Sequence, residues 1–327
     1  MKVLRAEPWL QGNFRNERIA IIDSFFMRRK KNRAEFNLRM FHEDFEGLFN
    51  PLHYRNRNLF EIKSTDDNLV LKLLGNVRVG YSSNVVGETI RELIDDIAQS
   101  LIRLGKAYYF LHEGTDQQAI YVAQLESTGV FRLFNRFIQW VPQRYEKQSG
   151  QDIELSREVR ILDRTKIMCF DMPTAVKRIL HEQNRTLSVL DKYQFSIPQS
   201  LGMGGGNKQT NNFDFNAWND LQTLVLCRAT RSTGWSGRKE RSINQSDFFI
   251  CHRLIRFRRN QLLLRDSILN QLNSELSRVG REYKTDFSVE ISLNDELPNI
   301  SDLNELEERL VNEQVGFTEI IDYCYKK

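Results

Sequence analysis

Residues 247–276, DFFICHRLIRFRRNQLLLRDSILNQLNSEL, crowd Arg253, Arg256, Arg258, Arg259 and Arg265 into what reads as one long helix. Guanidinium groups on a helix offer two kinds of chemistry. They neutralise phosphates without sequence choice, or they pair with the carboxylates of a neighbour. Arg253, Arg256 and Arg259, spaced by three, are expected on a partly exposed strip near the helix start, and the loop before it adds Arg238, Lys239 and Arg241. A helix that reads base edges is normally short and presents polar residues. Here Phe248, Cys251, Ile255, Leu262, Leu269, Leu272, Leu276 and Val279 lie near one face, widened by Ile250, Leu254, Phe257, Leu264 and Ile268. The C-terminal half of this helix is therefore expected in a core or between subunits.

Other constellations carry less. The patch GMGGGNKQTNN holds Gly202, Gly204, Gly205, Gly206 and Lys208, yet Lys208 follows Asn207 and precedes Gln209. A phosphate loop needs glycine before that lysine and Ser or Thr after it, so the patch reads as a flexible exposed loop. Glu61 and Lys63 in FEIKS have the Glu-x-Lys spacing of many metal-dependent nucleases. A shared divalent ion would need an upstream carboxylate, and Asp44 falls on a segment that reads as helix. The five histidines share no metal spacing, and the four cysteines form no CxxC pair. Asp95 and Asp96 point about 100° apart on a helix, which makes them solvated residues and no acid pair. The expectation is a chain without catalysis, metal or other cofactor.

The totals set bounds. The chain has 327 residues, 40% hydrophobic and 28% charged, so general disorder is excluded. Net charge is only +4, but it is unevenly spread. Arg28, Arg29, Lys30, Lys31 and Arg33 form one basic knot, and a second runs from Arg228 to Arg265. The last stretch is acidic, with Asp295, Glu296, Asp302, Glu305, Glu307, Glu308, Glu313 and Glu319. Ends of opposite sign let one copy meet another head to tail, or meet a polyanion at one face. No apolar run approaches the ~20 residues that cross a bilayer, and the first residues lack the apolar stretch of a signal peptide. A soluble, intracellular chain without a membrane partner is expected.

Helical spacing of Ile19, Ile22, Phe26, Phe36, Met40 and Phe41 predicts a helical segment to about residue 50, ended by Pro51. LFEIK and NLVLKLLGNVRVGY read as strand-like or mixed. GETIRELIDDIAQSLIRLG is an amphipathic helix with Ile90, Leu93, Ile94, Ile97, Leu101 and Leu104 in one stripe and Gly105 as its cap. KAYYFLHE and AIYVAQLE, joined by a polar turn, make a hairpin. With GVFRLFNRFIQWVP, and with EVRILDRTKIMCFDMP as a last strand, residues 86–173 predict one helix on a small antiparallel sheet. A helix from Thr174, the glycine loop, a helix through Trp218, the basic loop and the long helix follow. A strand in DFSVEIS, an acidic helix capped near Ser301 and a short terminal helix close the chain. The fold class is α+β, mainly helical, in four segments: 1–85, 86–173, 174–243 and 244–327.

That order of elements resembles the portal, or head-to-tail connector, proteins of tailed bacteriophages. The likeness runs over roughly residues 80–327. It lies in LIRLGKAYYFLHEGTDQQAIYVAQLE, in GRKERSINQSD before LLLRDSILNQLNSELSRVG, and in the ending DLNELEERLVNEQVGFTEIIDYC. The resemblance implies an elongated subunit in which 1–85 and 86–173 belong to a wing, 174–243 to stem-like helices, and 244–327 to the core. It implies a dodecameric ring at one capsid vertex, through which double-stranded DNA is packaged and ejected without sequence choice or catalysis. The implied partners are further copies of the chain, the major capsid protein, the packaging terminase and a tail adaptor. The implied locations are the virion and, during assembly, the host cytoplasm. Residues 174–217 leave little room for a clip, so the glycine patch at Gly202–Lys208 is expected at the channel or in place of the clip. The acidic terminal helix is expected against the basic loop of an adjacent copy. Two other readings stand beside this one: a nucleic-acid-binding protein using residues 228–265, and a metal-dependent nuclease around Glu61 and Lys63.

Overall fold

The computed structural model describes residues 2–10, 21–26, 36–49, 59–75, 77–78, 86–113, 120–125, 129–148, 151–194, 215–237, 246–294 and 297–326. The fold is α+β, with most of its ordered residues in helices. It divides into two compact units, the first formed by Met1–Asn32, Phe60–Asp171 and Ile268–Leu293, the second by Arg33–Leu59, Met172–Ser267 and Asn294–Lys327.

In the first unit, helix α4 (Val86–Leu104) buries Ile90, Leu93, Ile94, Ile97 and Leu101 as the periodicity predicts. Gly105 ends it at φ 78°, a left-handed backbone that glycine adopts without strain, and its N–H reaches Leu101 O at 2.7 Å. Strand β4 (Lys106–Glu113) follows and is buried along most of its length. It lies between β11 (Ile167–Asp171) and β5 (Ile120–Leu125), both antiparallel to it, and β3 (Val77–Arg78) adds parallel to β5. One face of this sheet packs on α4, where Tyr109 donates its hydroxyl to Asp96 Oδ2 at 2.7 Å. The other face contributes Tyr108, Phe110, Leu125 and Ile167 to a core shared with Val130, Phe137 and Leu162 of a second sheet.

That second sheet has the order β1 (Lys2–Arg5), β10 (Glu158–Leu162), β7 (Arg136–Val141), β6 (Val130–Leu133), with β1 parallel to β10. A separate hairpin joins β8 (Arg144–Gln148) to β9 (Gln151–Leu155). One helix on one small antiparallel sheet is thus corrected to a helix and two four-stranded sheets. The cause is local. Asp163 Oδ1 accepts from Thr165 N at 3.0 Å and from Thr165 Oγ1 at 2.8 Å, which starts a 3-10 turn at Arg164–Lys166. This Asx turn cuts the expected last strand into β10 and β11, one for each sheet. The mixed segment NLVLKLL is helix α3 (Asp67–Gly75), capped by Asp66 Oδ1 on Leu69 N at 3.1 Å.

Strand β2 (Phe60–Ser64) pairs antiparallel with β12 (Val289–Leu293), Ile62 facing Ile291. The end of the long helix α7 (Asp247–Gly280) closes against β12 through side chains that act as a strand would. Asn273 Nδ2 donates to Ile291 O at 2.9 Å and its Oδ1 accepts from Ile291 N at 2.8 Å. Ser277 Oγ accepts from Val289 N at 3.1 Å. A Cβ on Gly280 would stand 2.0 Å from Phe287, so only glycine admits that ring.

The second unit is helical. Residues Asp247–Ser267 of α7 pack with α8 (Ile300–Val311) and α9 (Phe317–Lys326) around Cys251, Ile255, Leu262, Leu303, Leu310, Ile320 and Cys324. Helices α2 (Phe36–Glu46), α5 (Thr174–Gln194) and α6 (Phe215–Ala229) complete it, and α1 (Ile21–Phe26) belongs to the first unit. Asp191 on α5 takes the N–H groups of Asn37 and Leu38, both at 3.0 Å, and so caps the start of α2 from a distance. Ile19, Pro51 and the basic knot from Arg28 to Arg33 lie outside the described residues.

Candidate subunit and nucleic-acid interface

The arginines of α7 do not stand together on one open strip. Arg253 is only 6% exposed. Its Nη1 donates to Cys227 O at 2.9 Å, and its Nη2 to Thr230 Oγ1 at 2.7 Å and to Trp235 O. One guanidinium thereby fastens the loop after α6 to α7, and burial holds its pKa below the usual arginine value. Gly234 sits against the same turn of helix at φ 80°, and a Cβ there would lie 2.2 Å from Arg253 O. Thr233 Oγ1 donates to Gln183 Oε1 at 2.8 Å, which ties the loop to α5 as well.

Arg256 and Arg259 are half-buried and engaged within the protomer. Arg256 Nη1 donates to Arg231 O at 3.0 Å. Arg259 Nη2 meets Glu307 Oε2 at 2.5 Å, with His252 Nε2 at 3.2 Å from the other oxygen of that carboxylate. The pairing with an acidic partner thus occurs inside the chain, between α7 and α8. Arg253 and Arg259 stand six residues apart, about 120° around the helix, so one faces the loop after α6 while the other faces α8. Arg238, Lys239 and Arg241, and the loop residues Gly202, Gly204, Gly205, Gly206 and Lys208, lie outside the described residues.

Two further arginines are sealed deeper than the sequence suggests. Arg265 is 1% exposed and Arg258 is 6% exposed. Burial first, then the charge of Arg265, pushes Arg258 down to about 10. No periodic signal marks them, because an arginine within an apolar stretch reads like any other interruption of the stripe.

Glu61 and Lys63 stand exposed on β2, with Lys63 opposite Glu290. The Asp44 carboxylate accepts from Trp235 Nε1 at 2.7 Å, which gives it a structural employment. Among the described residues no three His, Cys, Asp or Glu side chains come together to hold a metal ion. Asp96, expected in water, is instead mostly buried beneath Tyr109, and this burial raises its pKa. His112 is buried, stacked on Tyr121, with Nδ1 3.3 Å from Glu7. No described helix is long and apolar enough to cross a membrane.

Two surface features also escaped the sequence reading. The hairpin between β6 and β7 turns through Phe134 and Asn135, both at positive φ. Helix α9 carries apolar residues outward as well as inward. The signal for the second was present in the spacing of Phe317, Ile321 and Tyr325, by four each time.

No family model and no curated protein matches the sequence. Among solved structures, the chain is similar to one from the virion of a native gene transfer agent particle. Identity there is 12%, over 86% of this chain and 87% of the other, at a TM-score of 0.38. A chain from the neck of the empty gene transfer agent particle matches at 11% identity over 89% and 88%, also at 0.38. An HK97 family phage portal protein from Corynebacterium diphtheriae matches at 11% identity over 85% of each chain, at 0.29.

Proposed function

We propose that the chain is a subunit of a portal-like homo-oligomeric ring, a structural, non-catalytic conduit for double-stranded DNA at a capsid vertex. The observation that carries this reading is the succession of elements. Helix α4 ends at Gly105 and feeds the aromatic hairpin β4–β5. Strands, then α5 and α6, lead to the 34-residue α7, about 50 Å long. Strand β12, the acidic α8, a Gly-Phe-Thr-Glu turn and α9 close the order that the sequence resemblance implies.

In this reading the segments before residue 174 form the wing, 174–243 the stem-like part with the glycine loop at channel or clip, and 244–327 the core. Arg238, Lys239 and Arg241 supply cations toward DNA or an adjacent subunit. Arg253 acts as a positioning residue, holding the base of the loop that carries them. Capsid protein, terminase and tail adaptor are the remaining partners, and the virion vertex is the site of action. The test is the mass of the purified full-length protein by sedimentation, with images of the same sample. A ring of many times 38.6 kDa supports the reading. A single-copy species persisting at high concentration overturns it.

A further inference from the structure

Helix α9 is apolar on two sides. Ile320 and Cys324 enter the core beneath it. Phe317, Ile321 and Tyr325 are 39%, 40% and 60% exposed and follow each other at four-residue spacing, so they line one outward face. Carboxylates surround this stretch: Glu313 and Glu319 are exposed, and Glu319 is held at 3.0 Å by Arg309. An apolar patch rimmed by charge marks a surface that another molecule covers.

A matching feature stands on the same chain. The two-residue turn between β6 and β7 places Phe134 at φ 45° and Asn135 at φ 64°. Asparagine suits that backbone, but a bulky aromatic is strained in it. Phe134 is also 91% exposed, so no contact within its protomer offsets the strain. Leu133 beside it is exposed too. Arg132 and Arg136 flank this apolar tip, exposed and without an ion-pair partner among the described residues. Arg132 Nη2 donates to Asn135 Oδ1 at 3.2 Å, which fixes its cation beside the knob.

We infer that the outward face of α9 receives the β6–β7 tip of a second copy of this chain, Leu133 and Phe134 seating against Phe317, Ile321 and Tyr325 while Arg132 and Arg136 meet Glu313 and Glu319. Charge complementarity selects the occupant: one surface is apolar with an acidic rim, the other apolar with cationic flanks. Two different surfaces of one chain joined in this way make a heterologous contact, which closes into a ring when the rotation closes. The inference rests on the ring reading and names one contact that would build it.

The test uses the full-length protein, with assembly followed by sedimentation over a range of concentrations and the fold of each variant followed by circular dichroism. Phe134→Gly suits the left-handed backbone and keeps the hairpin. Ile321→Glu alters an outward side chain only. Each is expected to raise the concentration for half-assembly about tenfold or more. The double reversal Arg132→Glu with Arg136→Glu is expected to do the same, and Glu313→Arg with Glu319→Arg on the same chain to restore assembly. Rings that form at unchanged concentration in Phe134→Gly and Ile321→Glu, or a charge reversal that its counterpart does not rescue, overturn this contact while the ring stands. An unsubstituted chain that never leaves the single-copy state overturns the ring reading and the contact with it.

Discussion

Arg258 and Arg265 stand two turns apart on one side of α7, both shut off from water, with Asp266 the one carboxylate in ion-pair contact with them among the described residues. Arg265 Nε donates to Asp266 Oδ1 at 2.9 Å, while Arg258 offers Nη1 to Gln261 Oε1 at 3.2 Å. Arg258 Nε and Arg265 Nη1 find no acceptor. A buried guanidinium keeps its proton, so the desolvation of two like charges is only partly offset.

Replacing Arg258 by methionine is therefore expected to stabilise the protomer, by about 1 to 4 kcal/mol in urea unfolding. The pH dependence follows from the depressed pKa of about 10. A base whose folded pKa lies below its unfolded value is charged in both states at lower pH, so the penalty is fully present there. It is relieved only as pH rises through the window between the two values. The gain on Arg258→Met should hence be constant from about pH 6 to pH 9. A loss of stability, or a gain that varies over this range, would show that the charge has a compensating partner.

The three arginines placed on one strip by sequence should separate in their effects. Arg253→Ala leaves Cys227 O and Trp235 O without their donor inside the protein. A cost of about 3 kcal/mol or more is expected, with a change in Trp235 fluorescence, and Arg253→Lys should recover only part because a lysine lacks the fork. Arg256→Ala, with one carbonyl contact near the surface, should cost less than about 1 kcal/mol. Equal losses at both positions would contradict the inward placement of Arg253.

What sequence made legible here is what periodicity encodes. Helices α4, α5 and α7 follow their apolar spacing, and Gly105 follows its place after Leu104. Helix α3 was ambiguous because LVLKLL is nearly continuous, and a continuous apolar run fits a strand and a buried helix equally. The division of the strands between two sheets turned on one hydroxyl and one carboxylate, at Thr165 and Asp163, a turn signal too short to stand out. The parallel pairings of β1 with β10 and β3 with β5 join residues far apart in the chain and leave no local trace. At the candidate interface, residue type was legible but direction was not. Each three-residue step turns a side chain by about 60° backward around the helix, so a regular spacing of arginines winds from one neighbour to another.

Two glycines at similar φ should respond differently to alanine. At Gly105, φ 78°, an added Cβ meets nothing within 4 Å, so the cost is backbone strain alone, about 1 to 2 kcal/mol. At Gly234, φ 80°, the Cβ would also press on the Arg253 carbonyl and on Phe257 N at 2.9 Å. Backbone atoms of a helix cannot yield as a side chain can, and the loss should exceed that at Gly105 by about 1 to 3 kcal/mol. Urea unfolding of both variants checks the order, and a Gly234→Ala protein as stable as Gly105→Ala would mean that the loop does not touch α7 there.

Thiol chemistry offers an independent reading of burial. Burial pushes Cys324 up to about 12, with the Arg258 charge opposing it, and burial followed by Asp171 and Glu275 pushes Cys169 to about 12. Only the thiolate attacks an alkylating reagent. At pH 8 a thiol of that pKa is ionised at about one part in ten thousand, against roughly a quarter for an ordinary exposed cysteine. Native protein treated briefly with iodoacetamide at pH 8 should therefore keep Cys169 and Cys324 unmodified, and urea-unfolded protein should lose that protection. Peptide mass spectrometry reads both sites at once. Rapid labelling of Cys324 in the native state would mean that α9 opens from the core formed with α7 and α8, and that its inner face is not the settled one.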